Sequence, residues 1–347
     1  HTAYRRQRQM CIRDREGNIK TNAKNSSFDY LAMQFRLWKR MGMAVGFLPF
    51  STVGYSLSNT SELTKDEDGT VINKTASYAG DGGLQQVFAG VGFKVLDNLS
   101  IGANISYIYG DITHSVTTAF SNSSSFSSVR LDKISINDYK LDFGLQYSYK
   151  FNKKHVLNFG AVYSLGHSVN GKGYKYNQKW LNGADYPSTQ TGDTITNAFS
   201  LPHTFGAGLT YVYDNRLTIG ADFTYQQWED AKFYNEKSYF SNRTKIAAGA
   251  EFVPNPYSRN YLKRVRYRVG GYYSDPYTKV DGQDGTREYG VSAGFGFPLF
   301  QSKSILNISG QYVRVSPKVK GMLEENYLKI NIGLTFNERW FMKWKVD

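Results

Sequence analysis

Residues 217–228, LTIGADFTYQQW, alternate strictly between apolar and polar. Leu217, Ile219, Ala221, Phe223 and Tyr225 fall on one side, and Thr218, Gly220, Asp222, Thr224 and Gln226 on the other. Side chains of a β-strand point to opposite faces with period two, so this segment predicts a strand with one greasy and one wet face. The pattern recurs along the chain and predicts thirteen strands. They lie near 27–39, 42–57, 77–95, 99–115, 131–150, 155–170, 203–213, 216–229, 241–253, 264–278, 288–299, 304–316 and 326–338.

The connections alternate as well. Those near 40–41, 96–98, 151–154, 214–215 and 300–303 are short, and Asp97-Asn98 and Asp214-Asn215 tolerate the positive φ of tight hairpins. Those near 58–76, 116–130, 171–202, 230–240, 279–287 and 317–325 are long and polar, while 254–263 is longer than its tight peers. Tight turns on one side and long loops on the other predict an all-β, antiparallel transmembrane β-barrel of the outer-membrane type. A soluble β-sandwich is the alternative, since any half-buried sheet alternates. No run approaches 18 apolar residues, so no membrane-spanning helix is expected. A mean hydropathy of −0.49 fits a wet lumen. The 27 Tyr residues suit aromatic girdles at the two membrane interfaces.

The pattern keeps charge off one face. Leu31, Met33, Phe35 and Leu37, then Val87, Ala89, Val91 and Phe93, then Leu141, Phe143, Leu145 and Tyr147, and finally Leu328, Ile330, Ile332, Leu334 and Phe336 read as outward. Lys140, Asp142, Lys245, Glu251, Arg264, Arg266, Arg268, Lys329 and Asn331 then read as inward. An Arg at mid-membrane on the lipid face would cost roughly 2–4 kcal/mol, which places the three arginines in the lumen.

The formal charge of +13 contains +4 from His1–Arg15 (HTAYRRQRQMCIRDR), whose RQMCIRDR resembles translated sequencing-adaptor DNA. Residues 1–15 are therefore set aside, and with them Cys11, the single cysteine. Residues 16–347 read as one barrel domain. Bacterial single-chain barrels have even strand numbers. The polar stretch 16–27 before the first strand then implies one missing strand and a total of fourteen. The remaining basic residues are scattered over strands, with no basic helix or recognition motif, so lipid headgroups and lipopolysaccharide are the expected partners and nucleic acid is not.

GDGGLQQVFAGVGFKVLDNLSIGANISYIYGDI (80–112), LPHTFGAGLTYVYDNRLTIGADFTYQQW (201–228), YLKRVRYRVGGYYSDP (261–276) and GLTFNERWFMKWKVD (333–347) resemble the FadL-type outer-membrane transporters, in a Bacteroidetes-like form. The likeness spans about residues 26–347. It implies a monomeric barrel of fourteen strands with an N-terminal plug, in a Gram-negative outer membrane. It also implies passive uptake of long-chain fatty acids or other hydrophobic compounds, released sideways through a gap in the wall. The plug and its Asn-Pro-Ala-type motif do not occur in this sequence, so no plug residue is assigned, and the chain lacks a terminal Phe.

Arg264, Arg266 and Arg268, with Lys245, are the candidate anion site, because guanidinium forks pair with carboxylates. A structural charge network with Glu251, Asp142 and Asp222 is the competing reading. Phe88, or the loop around Trp180 and Leu181, is the candidate apolar contact for a tail. Pro49 lacks the N–H a ladder needs, and with Gly80, Gly82 and Gly83 it marks a candidate lateral opening or an ordinary bulge. GVSAG (290–294) matches a nucleophile-elbow pattern, but Ser292 sits mid-strand, where that chemistry has no strained turn. His114, His155, His167 and His203 show no metal spacing and no partnered nucleophile. No catalytic residue, metal or cofactor is expected. The function expected is hydrophobic transport. A porin-like channel for hydrophilic solutes and a non-transport barrel serving as anchor or shuttle in a secretion complex are the alternatives.

Overall fold

The computed structural model describes residues 2–16, 19–65, 69–122, 125–181, 189–196, 199–233, 237, 239–280, 282–299, 304–317 and 324–337, with side chains from Phe28 to Phe336. The strands are β1 (Thr2–Glu16), β2 (Ile19–Trp38), β3 (Met41–Lys65), β4 (Val71–Lys94), β5 (Leu99–Phe120), β6 (Phe126–Lys150), β7 (His155–Ser164), β8 (His167–Val169), β9 (Gly171–Leu181) and β10 (Thr189–Thr196). They continue as β11 (Phe199–Leu201), β12 (Thr204–Tyr213), β13 (Leu217–Gln226), β14 (Arg243–Phe252), β15 (Arg266–Ser274), β16 (Lys279–Val280), β17 (Gln283–Asp284), β18 (Thr286–Pro298), β19 (Ile305–Pro317) and β20 (Glu324–Asn337). Short 3-10 turns cover Trp228–Asp230 and Tyr261–Lys263.

Antiparallel pairing runs from β1 through β7, on to β12, β13, β14, β15, β18, β19 and β20, and returns to β1. That is a closed ring of fourteen strands, which leaves no open edge at membrane level. The fourteenth strand lies where the sequence reading saw none. Thr2–Glu16 pairs with β2 on one side and β20 on the other, so the expectation that residues 1–15 stand outside the fold is corrected. The likeness of RQMCIRDR to translated adaptor DNA, not any pattern of these residues, is what sets them aside in the sequence.

The outer face carries an apolar band that includes Val91, Ile105, Phe143, Phe205, Ile219 and Val291, all exposed. Above it on β5 and β6 come Tyr107, Tyr109 and Tyr139, and beyond them Asp111 and Lys133, joined by an ion pair of 3.0 Å. This sequence of apolar, aromatic and charged levels fits a bilayer core, its interface and water. A strand crosses a membrane in about 9–11 residues, and β12, β13, β14 and β15 have 9–10. β3–β6 have 22–25, so this side of the wall rises well above the bilayer. The polar stretches read as loops at 58–76 and 116–130 largely form the upper parts of these strands, and the stretch 171–202 contains the antiparallel pair β9–β10 and the short β11.

A crease crosses the tall side. In β3 the register slips between Pro49 and Ser51, leaving Phe50 as a bulge. In β4 and β5, Gly82 and Gly110 adopt φ of 107° and 141°, and any Cβ there would strike the backbone of the adjacent strand. β6 then divides. Its Asp142–Lys150 pairs with β7 and its Phe126–Ile136 with β9, while β8 turns away to pair with β11.

Candidate functional site

Above the crease the inward face is apolar. Leu84, Ile108, Ile134 and Ile136 alternate with outward-facing neighbours such as Val87, Tyr107 and Tyr139, so they face the lumen. They pack with Val169 of β8 and Leu201 of β11 into one cluster, every member at most 7% exposed. Phe50, Ile112, Ile195, Phe199 and Phe233 pack against it. The cluster continues into an aromatic raft from the loops that follow β13 and β15. Trp228 lies 6.2 Å from Phe199, 5.2 Å from Phe240 and 5.0 Å from Tyr277, and Phe233 meets Phe240 edge-on at 5.8 Å. Together these residues make an apolar seal inside the outer mouth. β8 and β11 pair with each other rather than in the ring, and their Val169 and Leu201 pack on the wall residues.

Below the seal lies a cavity of about 700 Å³. Gly92, Gly102, Gly144, Gly160, Gly206 and Gly208 line it, with Asp222 at one side. Glycine on inward positions keeps the lumen wide at this level.

The charged candidates separate into two groups. Arg266 Nη1 donates to Glu251 Oε1 at 2.8 Å, and Arg268 Nε donates to Glu251 Oε2 at 2.6 Å. Arg268 Nη1 also donates to Asn307 Oδ1 at 2.6 Å. Arg264 lies outside the strand. It follows the 3-10 turn, before β15 begins, and its guanidinium lies 5.5 Å from the Tyr261 ring. Arg266 and Arg268 thus share one carboxylate, in the manner of the structural charge network that the sequence offered as the competing reading. Lys245 sits near the outer end of the lumen, 4.9 Å over the Tyr272 ring. Phe88 faces inward on β4, lying across Gly46. Trp180 and Leu181 end β9, paired with Ser127 and Phe126, at the far end of that strand from Val169 of β8. The aromatic raft was missed because its members come from three separate loops and strands, with no shared spacing to signal them.

Pairing continues on both sides of the Phe50 bulge through the candidate opening. Pro49 pairs with Gln85, and Gly80, Gly82 and Gly83 pair with Tyr55, Val53 and Thr52. Pairing lapses elsewhere, between β6 and the β7–β9 strand. There Asn137 N bonds Asn170 O at 3.2 Å and Leu165 N bonds Leu141 O at 3.0 Å, with no ladder between. His167 occupies the break. Its ring stacks on outward-facing Tyr139 at 4.7 Å, and Nε2 is 3.5 Å from the buried carboxylate of Asp138. Among the other histidines, His155 bonds Tyr211 at 2.5 Å and His203 bonds Tyr163 at 2.8 Å. Among the described residues no three metal-ligating side chains gather. Ser292 is mid-strand on β18, with Oγ donating weakly to Gly270 O at 3.4 Å.

A family model described as BamG matches residues 7–347. The chain belongs to the BamG family. No curated protein sequence matches it. Its fold is that of solved outer-membrane barrels. The Pseudomonas putida toluene transporter TodX matches with a TM-score of 0.60 at 13% identity, over 96% of this chain and 88% of that one. The CymD monoaromatic hydrocarbon channel matches with a TM-score of 0.59 at 10% identity, over 99% and 90%. A Pseudomonas aeruginosa FadL homologue matches with a TM-score of 0.58 at 13% identity, over 96% and 89%. The resemblance to FadL-type barrels therefore holds at the level of the fold.

Proposed function

We propose that this BamG-family barrel admits small hydrophobic molecules through the outer membrane. The observation that carries the reading is the apolar seal over a glycine-lined cavity. A lumen closed by Leu, Ile, Val, Phe and Trp side chains resists water and ions, since a bare ion gains no partner there. An apolar solute instead replaces one greasy surface with another, gaining about 25 cal/mol for each Å² it removes from water. That TodX is a toluene transporter and CymD a monoaromatic hydrocarbon channel supports a solute of that kind. Passage is passive. Release sideways into the bilayer would use the lapse in pairing at His167, where no backbone ladder has to be broken.

The test has two arms on the full-length protein. In a planar bilayer, a folded and inserted barrel carries no steady current. In cells whose outer membrane bears lipopolysaccharide, its expression raises uptake of labelled toluene but not of a labelled hexose. Steady, large conductance would overturn the reading in favour of a porin. Silence in both arms would overturn it in favour of a non-transport role as an anchor or shuttle.

A further inference from the structure

Across the ring from the glycine-lined cavity, β15, β18, β19 and β20 enclose a second lumenal pocket of about 310 Å³. Arg268, Ser292, Asn307, Ser309, Gln311 and Asn331 give it a polar side, beside apolar Val269, Phe295 and Ile308. Part of this lining is hydrogen-bonded internally: Arg268 is held by Glu251 and Asn307, while Asn307 Nδ2 donates to Thr335 Oγ1 at 3.2 Å. Asn331 has no such bond to its oxygen. It is 5% exposed, and its Oδ1 is buried and accepts no hydrogen bond from any described residue. A buried amide oxygen without a donor is costly, and such groups in native proteins have a partner.

The chemistry of that partner follows from the oxygen. Only a donor completes it, and an ionised carboxylate has none. A hydroxyl or an amide N–H supplies the donor, and its own oxygen is met by Ser292, Ser309 or Arg268.

We propose that this pocket is a subsite for the uncharged, hydrogen-donating end of a small molecule in the lumen, an alcohol, phenol or amide rather than a fatty acid carboxylate. The proposal rests on the transport reading above and names the class of solute.

The test is a saturation-transfer NMR titration of the whole protein in lipid nanodiscs, with benzyl alcohol, benzoate and toluene as probes. Folding of each variant is verified by its β-sheet circular dichroism and heat-shifted migration. The expected order places benzyl alcohol ahead of both others. Asn331→Leu weakens benzyl alcohol about fivefold, the value of one net neutral hydrogen bond, and leaves toluene unchanged. Ser309→Ala acts in the same direction by a smaller factor. Benzoate binding tightest, or benzyl alcohol indifferent to both variants, would overturn the subsite and leave the pocket to water alone. Toluene binding in that case keeps the transport reading intact. Failure of the wild-type chain to bind toluene would strike the transport reading and the subsite with it.

Discussion

The hydroxyl of Tyr55 and Nδ1 of His114 lie 2.9 Å apart although two strand boundaries separate them. They reach each other because Gly80 stands between them in register, on β4, and has no side chain to intervene. The pair sits on the inner face of the tall wall, above the aromatic level that marks the membrane interface. Partial burial holds the His114 pKa below its ordinary value, opposed by the charge of Asp132, and raises that of Tyr55.

The direction for His114 fixes a pH dependence. Its unfolded-state value is about 6.5. Because the folded value is lower, the unfolded chain binds the proton first as pH falls below about 6.5. The upper wall is therefore expected to lose stability as pH falls from that point through the folded value, then to level off. Amide protection factors at Tyr55, Gly80 and His114, corrected for the intrinsic pH dependence of exchange, should fall in this window. His114→Gln should remove the dependence, and an unchanged pH profile in that variant would assign it to other groups.

Gly82 and Gly160 make a contrasting pair. Gly82 has φ of 107° and a backbone carbonyl of β5 where its Cβ would lie, whereas Gly160 faces open space. Gly82→Ala should cost about 1–3 kcal/mol or more from the strained backbone. Gly160→Ala should stay within about 0.5 kcal/mol. Urea unfolding of the refolded barrel measures both. Equal midpoints would mean the crease is not a constrained feature.

Glu251 holds two guanidinium groups, so its removal leaves both without their carboxylate. Glu251→Ala is expected to destabilise the barrel by about 1–3 kcal/mol, moderated because the arginines are partly exposed. If the residue served only to reject carboxylates, stability would be unchanged and benzoate binding alone would rise.

The seal can be breached at two depths. Ile108 is 1% exposed, and Ile108→Ala should cost about 2–5 kcal/mol, read from the same unfolding curves. Trp228 joins the raft through Phe199, Phe240 and Tyr277. Trp228→Ala should convert a silent barrel into one with measurable ion current. A folded variant that stays silent would place the barrier elsewhere.

These features differ in how plainly the sequence announces them. The membrane-level wall is legible because lipid and lumen impose opposite preferences on successive residues, as in 217–228. The turn at Asp214-Asn215 is legible too, since both residues adopt the positive φ their side chains tolerate, at 50° and 52°. Asp97-Asn98 carries the same composition, yet positive φ among described non-glycine residues occurs only at Asp214 and Asn215, so composition permits that turn without dictating it. The upper strands are obscure because water bathes both sides of much of them, leaving no apolar stripe. The seal is obscure for another reason. Val169, Leu201 and Trp228 gain meaning only once the fold has brought distant segments together. Arg264 shows the reverse error, since a regular spacing of arginines continued past the point where the strand begins.

The lapse at His167 gives the side-exit idea a direct test. Tyr139 and His167 are stacked across the break, whereas Tyr163 and Phe205, 5.2 Å apart, sit in register on the intact β7–β12 ladder. In a Cys11→Ser background, Tyr139→Cys with His167→Cys can be joined by a short, reducible, thiol-reactive crosslinker, and Tyr163→Cys with Phe205→Cys serves as the control. If solutes leave through the break, crosslinking the first pair slows toluene uptake and reduction restores it, within the same preparation. Crosslinking the control pair changes nothing, because hydrogen bonds already hold those strands together. Equal uptake before and after linking the first pair would exclude the break as the route. The solute would then have to pass along the barrel axis, past Asp222 and the glycine-lined floor.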